Sequence, residues 1–296
     1  MTATSKAKSA EEKVFGLLGT ILRIADRLSS RLSSRLLYWL WCHALRHPPS
    51  PKEQLFKAEA KATGFSVNGV NYKFHSLGDG PVVLTVHGWD GRGTQMMSFF
   101  KPLVDAGFKV VTFDAHGHGE SPGQQTNGVI ISDMIVEISN RVGGCYAMIA
   151  HSMGGSFALV ALEKISVEKV VLIAPPQNLE AAYQKVKMRL DIPDRPGRLF
   201  KERFERNFPN AWNRFSIDQM VTKLAHVKGL IIQDRDDDFV YPDESKAIHE
   251  RWKGSELLFT EGLGHRKILR DDVVVQRTVD FLTGSVHGRG QETSRS

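Results

Sequence analysis

The run Ile149-Ala150-His151-Ser152-Met153-Gly154-Gly155 holds the residues best suited to chemistry. A strand-like stretch, Cys145 to Ala150, leads into it, and a helix-like stretch, Met153 to Glu163, leads out. A serine pinched between strand end and helix start takes a strained backbone conformation that pushes its hydroxyl out of the sheet. Strand and helix nearly touch there, so the positions two before and two after must be small. Ala150 and Gly154 meet that demand. The helix beginning at Met153 offers free N–H groups and its positive dipole end to a developing oxyanion. The chemistry this predicts is nucleophilic attack by Ser152.

The run is similar to the nucleophile elbow of the α/β-hydrolase superfamily, and the chain resembles that family from about Lys61 to Gly284. The usual G-x-S-x-G has Ala150 in place of its first glycine. Upstream, the apolar run Pro81–Val86 reads as a buried strand and ends in His87-Gly88-Trp89. The resemblance implies that Trp89, the residue after His-Gly, pairs its N–H with that of Met153 to hold an oxyanion. The next strand, Lys109–Phe113, is followed by Asp114-Ala115-His116-Gly117-His118-Gly119-Glu120-Ser121. This matches the family's D-x-x-G-x-G-x-S loop, whose role is structural. His116 and His118 have no clustered acidic or cysteine ligands beside them, so no metal site is expected. No cofactor is expected either.

A serine nucleophile needs a base, and the base needs an orienting acid. The family places its histidine after the last strand, which points to His265 among the 11 histidines. His265 follows the strand-like Leu257–Thr260 in Glu261-Gly262-Leu263-Gly264-His265-Arg266, read as a loop. The acid is expected after the strand Gly229–Gln233. The family's register of an aspartate, one residue, two apolar residues and a nearby proline selects Asp237, with Asp236 and Asp238 as rivals. Gln233-Asp234 stands where the family has His-Gly. The chain order Ser, Asp, His is the hydrolase order.

The resemblance implies acyl transfer to water from a small ester, with thioesters close behind. Two other classes stay open. One is C–C bond hydrolysis or perhydrolysis by the same three residues. The other is a ligand-binding protein that kept the fold without turnover. An aspartate-nucleophile dehalogenase is disfavoured because Ser152 stands at the nucleophile position.

The elements that must position these residues follow from the patterning. With 296 residues and 41% hydrophobic content the chain can bury a large core. Alternating strand-like and helix-like runs predict an α/β fold: a mostly parallel central sheet with helices on both faces. Asn68-Gly69 predicts an antiparallel hairpin at its start. Helices are expected near Thr94–Ala106, Val129–Asn140, Pro242–Trp252 and Asp271–Leu282. The interval 177–227 is expected to be a helical cap inserted into the domain of residues 61–284. Leu179–Leu190 and Leu199–Phe208 read as cap helices, with a break at Ile192–Gly197. The cap has 10 Lys/Arg against 6 Asp/Glu, read mainly as solvated helix faces. Phe200, Phe204, Phe208, Trp212 and Phe215 are expected on its apolar underside, as pocket or as packing.

Residues 1–60 read as a basic, amphipathic, helical extension. The first 62 residues hold 11 Lys/Arg and 5 Asp/Glu, so the whole net charge of +6 lies there. Val14, Leu18, Ile21, Ala25, Leu28, Leu32, Leu36 and Leu40 recur at helical spacing, beside Arg23, Arg27, Arg31 and Arg35. Two readings stand: a helix packed on the domain, which is preferred, and peripheral membrane contact through residues 14–45. No apolar run reaches the length needed to span a bilayer, and the start lacks a signal-peptide pattern. Nucleic-acid binding is not expected, since the basic segment carries no recognition motif. Cys42 and Cys145 are expected as free thiols, which points to the cytoplasm, with the inner face of a membrane as the alternative location. Residues 285–296 read as a disordered polar tail.

Overall fold

The computed structural model describes residues 3–284, with side chains from residue 12. The expected tail, 285–296, and the first residues of the extension lie outside this range. Eight strands among the described residues form one sheet in the order β1-β2-β4-β3-β5-β6-β7-β8. They are β1 Lys61–Val67, β2 Val70–Leu77, β3 Val82–Val86, β4 Lys109–Phe113, β5 Ala147–His151, β6 Lys169–Ile173, β7 Lys228–Asp234 and β8 Ser255–Thr260. β1 and β2 form the antiparallel hairpin, and β2 lies antiparallel on β4. From β4 to β8 every pairing is parallel. The hairpin turns at Asn68 (φ 49°) and Gly69 (φ 78°), the two positive φ angles that a tight two-residue turn requires.

The strands that carry the site are apolar because helices cover both their faces. Every residue of β3, β5 and β6 is buried. Helices follow in chain order: α1 Ala3–Leu28, α2 Ser30–Cys42, α3 Pro51–Glu59, α4 Phe100–Asp105, α5 Gly128–Arg141, α6 Met153–Ala161, α7 Leu179–Leu190, α8 Asp194–Asn207, α9 Ala211–Arg214, α10 Ile217–Met220, α11 Pro242–Arg251, α12 Gly264–Lys267 and α13 Asp272–Thr283. One apolar cluster, with Met148, Phe157 and Leu172, lies on one face of the sheet; another, with Phe99, Ile149 and Val279, lies on the other.

Three expectations change on contact with the structure. The helix expected at Thr94–Ala106 is a 3₁₀ segment, Gly93–Phe99, leading into α4. The break expected at Ile192–Gly197 is confined to the two residues before α8, which starts at Asp194 and contains Pro196 and Gly197. Proline is tolerated there because first-turn N–H groups have no intrahelical acceptor. A Cβ on Gly197 would lie 2.5 Å from the Tyr183 hydroxyl, so close packing explains the glycine. Thirdly, the loop assigned to His265 ends in a short helix, α12, with His265 in its first turn.

α7 to α10 occupy the interval between β6 and β7. Four of their basic residues are ion-paired: Lys187 with Asp194, Lys201 with Glu180, Arg214 with Glu163, and Lys185 with Glu244. Their aromatic rings pack on the extension. Phe200 stacks on Tyr183, and both meet Trp41 of α2. Phe204 lies between Tyr38, Trp41 and Trp212. Phe200 and Phe204 are therefore packing beneath the N-terminal hairpin. In that hairpin α2 folds back along α1, and the buried Ser33 hydroxyl donates to the Leu22 carbonyl at 2.9 Å.

Candidate active site

Ser152 sits between β5 and α6 with φ 53° and ψ −132°. This is a conformation that a side chain adopts only where its surroundings force it. Here the surroundings are a close approach of three backbones. The Ser152 N–H donates to the Ile173 carbonyl of β6 at 2.9 Å. A Cβ on Gly154 would lie 2.5 Å from the His87 carbonyl oxygen, and one on Gly88 would lie 2.9 Å from the Ser152 Cβ. Only glycine fits at either position, so the end of β3 runs directly beside the serine. Met153 is the first residue of α6, and its N–H has no acceptor within the helix.

The structure brings Ser152, His265 and Asp237 together. Ser152 Oγ lies 3.0 Å from His265 Nε2, and His265 Nδ1 lies 2.8 Å from Asp237 Oδ2. The carboxylate only accepts, so Nδ1–H donates to it and Nε2 is left to accept from the serine hydroxyl. Asp237 is buried, whereas Asp236 and Asp238 are exposed. Its Oδ1 accepts from the N–H groups of Phe239 (2.8 Å) and Val240 (2.9 Å). Burial pushes this carboxyl up, but the bonds from His265, Val240 and Phe239 outweigh burial and hold it below the ordinary range. It is therefore anionic at neutral pH. Phe239 stacks on the imidazole, ring centroids 5.2 Å apart.

His116 and His118 lie in the loop after β4 and serve packing. His116 Nδ1 bonds the Tyr72 hydroxyl at 2.8 Å. His118 is fully buried against Trp89, ring centroids 5.2 Å apart, and burial pushes its pKa down to about 3. Asp114 of the same loop accepts from Gly93 N–H and Glu120 N–H. Cys42 and Cys145 are free and buried, and burial pushes both thiols up to about 11.

Residues 80–223 match the family described as serine aminopeptidase, S33. An sn-1-specific diacylglycerol lipase from Danio rerio is 30% identical over 176 residues, which cover 51% of this chain and 55% of the lipase. The chain spans about half the length of the curated relatives it matches. Among solved structures, a thermophilic esterase from Thermogutta terrifontis superposes with TM-score 0.58 at 20% identity, over 76% of this chain and 99% of the esterase. A meta-cleavage product hydrolase from Pseudomonas fluorescens superposes with TM-score 0.57 at 18% identity, over 77% of this chain and 100% of that one. The fold is that of the α/β-hydrolases.

Several further residues support the site. His151 Nε2 lies 2.9 Å from the His265 carbonyl. Asp234, fully buried at the end of β7, accepts from Gly264 N–H (2.8 Å), Leu263 N–H (3.1 Å) and the Thr260 hydroxyl (2.7 Å). It thereby anchors the turn that presents His265. Gln233 Nε2 donates to Asp237 Oδ2 at 3.3 Å and to the Val240 carbonyl at 2.9 Å. The pair Gln233-Asp234, which departs from the family's His-Gly, thus holds both the acid loop and the histidine loop.

The extension also reaches the site. Glu53 of α3 binds Arg92 through both carboxylate oxygens, at 2.9 and 2.7 Å, and accepts from Thr94 at 2.9 Å. Asp90 accepts from Leu45 N–H at 2.6 Å. Arg46 donates to the carbonyls of Gly117 and Gly119. Residues 45–53 therefore clamp the loops after β3 and β4. The signals in the sequence that could have found this are the Ser50-Pro51 helix start and the charges of Arg46, Glu53, Asp90 and Arg92.

Proposed function

We propose that this chain is a serine hydrolase that cleaves carboxylic esters through an acyl-serine intermediate. The observation that carries the reading is the continuous hydrogen-bonded line from Ser152 Oγ through His265 to Asp237, built on a serine with strained backbone. His265 Nε2 takes the hydroxyl proton as Ser152 Oγ attacks the ester carbonyl. The carbonyl electron pair moves onto oxygen, and the N–H groups of Trp89 and Met153 receive that charge. As the tetrahedral intermediate collapses, the protonated His265 gives its proton to the departing alkoxide. Water, activated by the same imidazole, then adds to the acyl-serine; collapse frees the acid and returns the proton to Ser152. Asp237 keeps the imidazole in the reactive tautomer and stabilises its positive charge throughout.

The ester class is supported by the esterase and lipase among the similar proteins. Thioesters fit the same steps, with a thiolate as leaving group. We place the chain in a reducing compartment, the cytoplasm, on the strength of its two buried free thiols. No helix among the described residues is long and apolar enough to cross a membrane.

The test is labelling of the purified chain with a fluorophosphonate, followed by turnover of p-nitrophenyl esters. Stoichiometric labelling and turnover that disappear in Ser152→Ala are expected. A well-folded chain that neither labels nor turns over any ester, and instead cleaves a β-diketone, would move the assignment to C–C bond hydrolysis.

A further inference from the structure

We propose that α1 docks this protein on an anionic phospholipid surface through an apolar stripe that the fold leaves uncovered. Two apolar faces run along this helix. Leu22 and Ala25 are buried, and Phe15 and Leu18 pack partly against the cap side. Val14, Leu17, Ile21, Ile24 and Leu28 recur at alternating steps of three and four, one line down a helix. They are 50%, 63%, 45%, 54% and 78% exposed. On α2, Leu32 (41%) and Trp39 (50%) are exposed as well. The residues that the sequence groups as one face are therefore divided: the buried line needs no partner, and the exposed line has none within the described chain. A contiguous exposed apolar row of this length marks an interaction surface.

Charge identifies the occupant. Lys13 and Arg27 lie beside the stripe on its solvent side, and Arg31 and Arg35 follow on α2; all four are exposed. Arg23, one position further round, is tied to Asp191 of the cap at 3.0 Å. On the described part of α1 the acidic side chains are Glu12 and Asp26, both away from the stripe by helical position. The chain's entire net charge of +6 lies in this N-terminal region. An apolar line with a basic border and an exposed tryptophan is suited to lie at the level of anionic headgroups. A second copy of the same face would set like charges against each other, which disfavours a dimer through it. No described helix is long and apolar enough to span, so contact is along the surface.

The other, buried face of α1 reaches the site through a short series of contacts. Phe15 of α1 lies 5.7 Å from the Arg189 guanidinium, which sits 3.9 Å over the Phe239 ring, which stacks on His265. The docking proposal itself does not depend on the ester assignment.

Flotation of the full chain with vesicles tests it. Phosphatidylcholine vesicles are compared with vesicles that also contain phosphatidylglycerol, at about 0.1 M and about 1 M salt, where screening lengths are roughly 10 and 3 Å. The chain is expected to float with the anionic vesicles at low salt and to come off at high salt. Removing Arg27, Arg31 and Arg35 together as alanines should weaken binding on the order of 100-fold, about fivefold for each charge. Leu17→Glu with Ile24→Glu should abolish flotation while melting temperature and fluorophosphonate labelling stay unchanged. A folded wild-type chain that stays off anionic vesicles at low salt overturns the proposal. So does a dimer in sedimentation that the two glutamates dissolve, which would make the stripe an interface between copies. A chain that labels but does not float leaves the hydrolase assignment standing and removes only the docking.

Discussion

His151 Nε2 lies 2.9 Å from the carbonyl oxygen of His265, so the residue beside the nucleophile supports the backbone of the base. A carbonyl only accepts, which makes His151 the donor and fixes its proton on Nε2. Burial pushes its pKa down to about 3, helped by the neighbouring His265. His151 is thus neutral across the working range and acts by position. Replacement by phenylalanine should lower kcat about 10- to 100-fold, the scale expected when a catalytic group is misplaced by about an ångström. The pH profile of kcat/KM should keep its shape, because no titrating group is lost. A displaced profile would mean that His151 exchanges protons with the substrate.

The same burial gives a stability prediction. His118 and His151 both have folded pKa values near 3, below the ordinary 6.5. The unfolded chain therefore binds more protons than the folded chain between those values. Stability rises with pH in that window and is lost as pH falls through it. His118→Phe should flatten the fall in melting temperature between about pH 6.5 and pH 3. An unchanged slope would show that His118 is protonated in the fold.

Among the acidic residues after β7, Asp237 alone should matter to the chemistry. Asp237→Asn keeps the shape but favours the wrong imidazole tautomer, and a loss on the order of 10⁴ in kcat is expected. Asp238→Asn should stay within severalfold of the wild type. Equal losses at both positions would contradict the geometry.

The legible parts of this protein were those with local signatures. The elbow announces itself because strand, serine, small residues and helix are adjacent in sequence. Asp237 could be selected because its two apolar successors, Phe239 and Val240, turn their N–H groups back onto its carboxylate. The missed residues act across long separations. Glu53 meets Arg92, and Asp234 meets Gly264, through contacts that no spacing rule encodes. The N-terminal helix illustrates a different limit. Helical periodicity reveals that α1 is amphipathic, but two apolar lines 3–4 residues apart merge into one until a neighbour buries one of them.

Asp234 provides a test of that long-range support. Its carboxylate gathers Gly264 N–H, Leu263 N–H and the Thr260 hydroxyl, and its loss would leave buried donors unsatisfied. Asp234→Ala should cost about 2–4 kcal/mol of stability by removing several charge-assisted bonds. Below its melting temperature the variant should label more slowly with fluorophosphonate, since His265 loses its fixed approach. Normal labelling with lowered stability would confine Asp234 to folding.

The Glu53–Arg92 clamp joins stability to the loop that carries Trp89. Burial pushes the Glu53 carboxyl up, but Arg92, Ser50 and Thr94 outweigh it and bring the pKa from 4.5 down to about 2. The folded value lies below the unfolded one, so the clamp's contribution is complete above about pH 4.5 and fades as pH falls toward 2. Glu53→Gln should lower the melting temperature at neutral pH, and the gap to the wild type should close between about pH 5 and pH 2. Arg92→Met leaves the carboxylate buried with only part of its donor set, and should destabilise more than Glu53→Gln. Both variants should lose kcat rather than raise KM, because the loop after β3 is proposed to contact the developing oxyanion rather than the bound ester. A pure KM effect would instead place this loop in substrate binding.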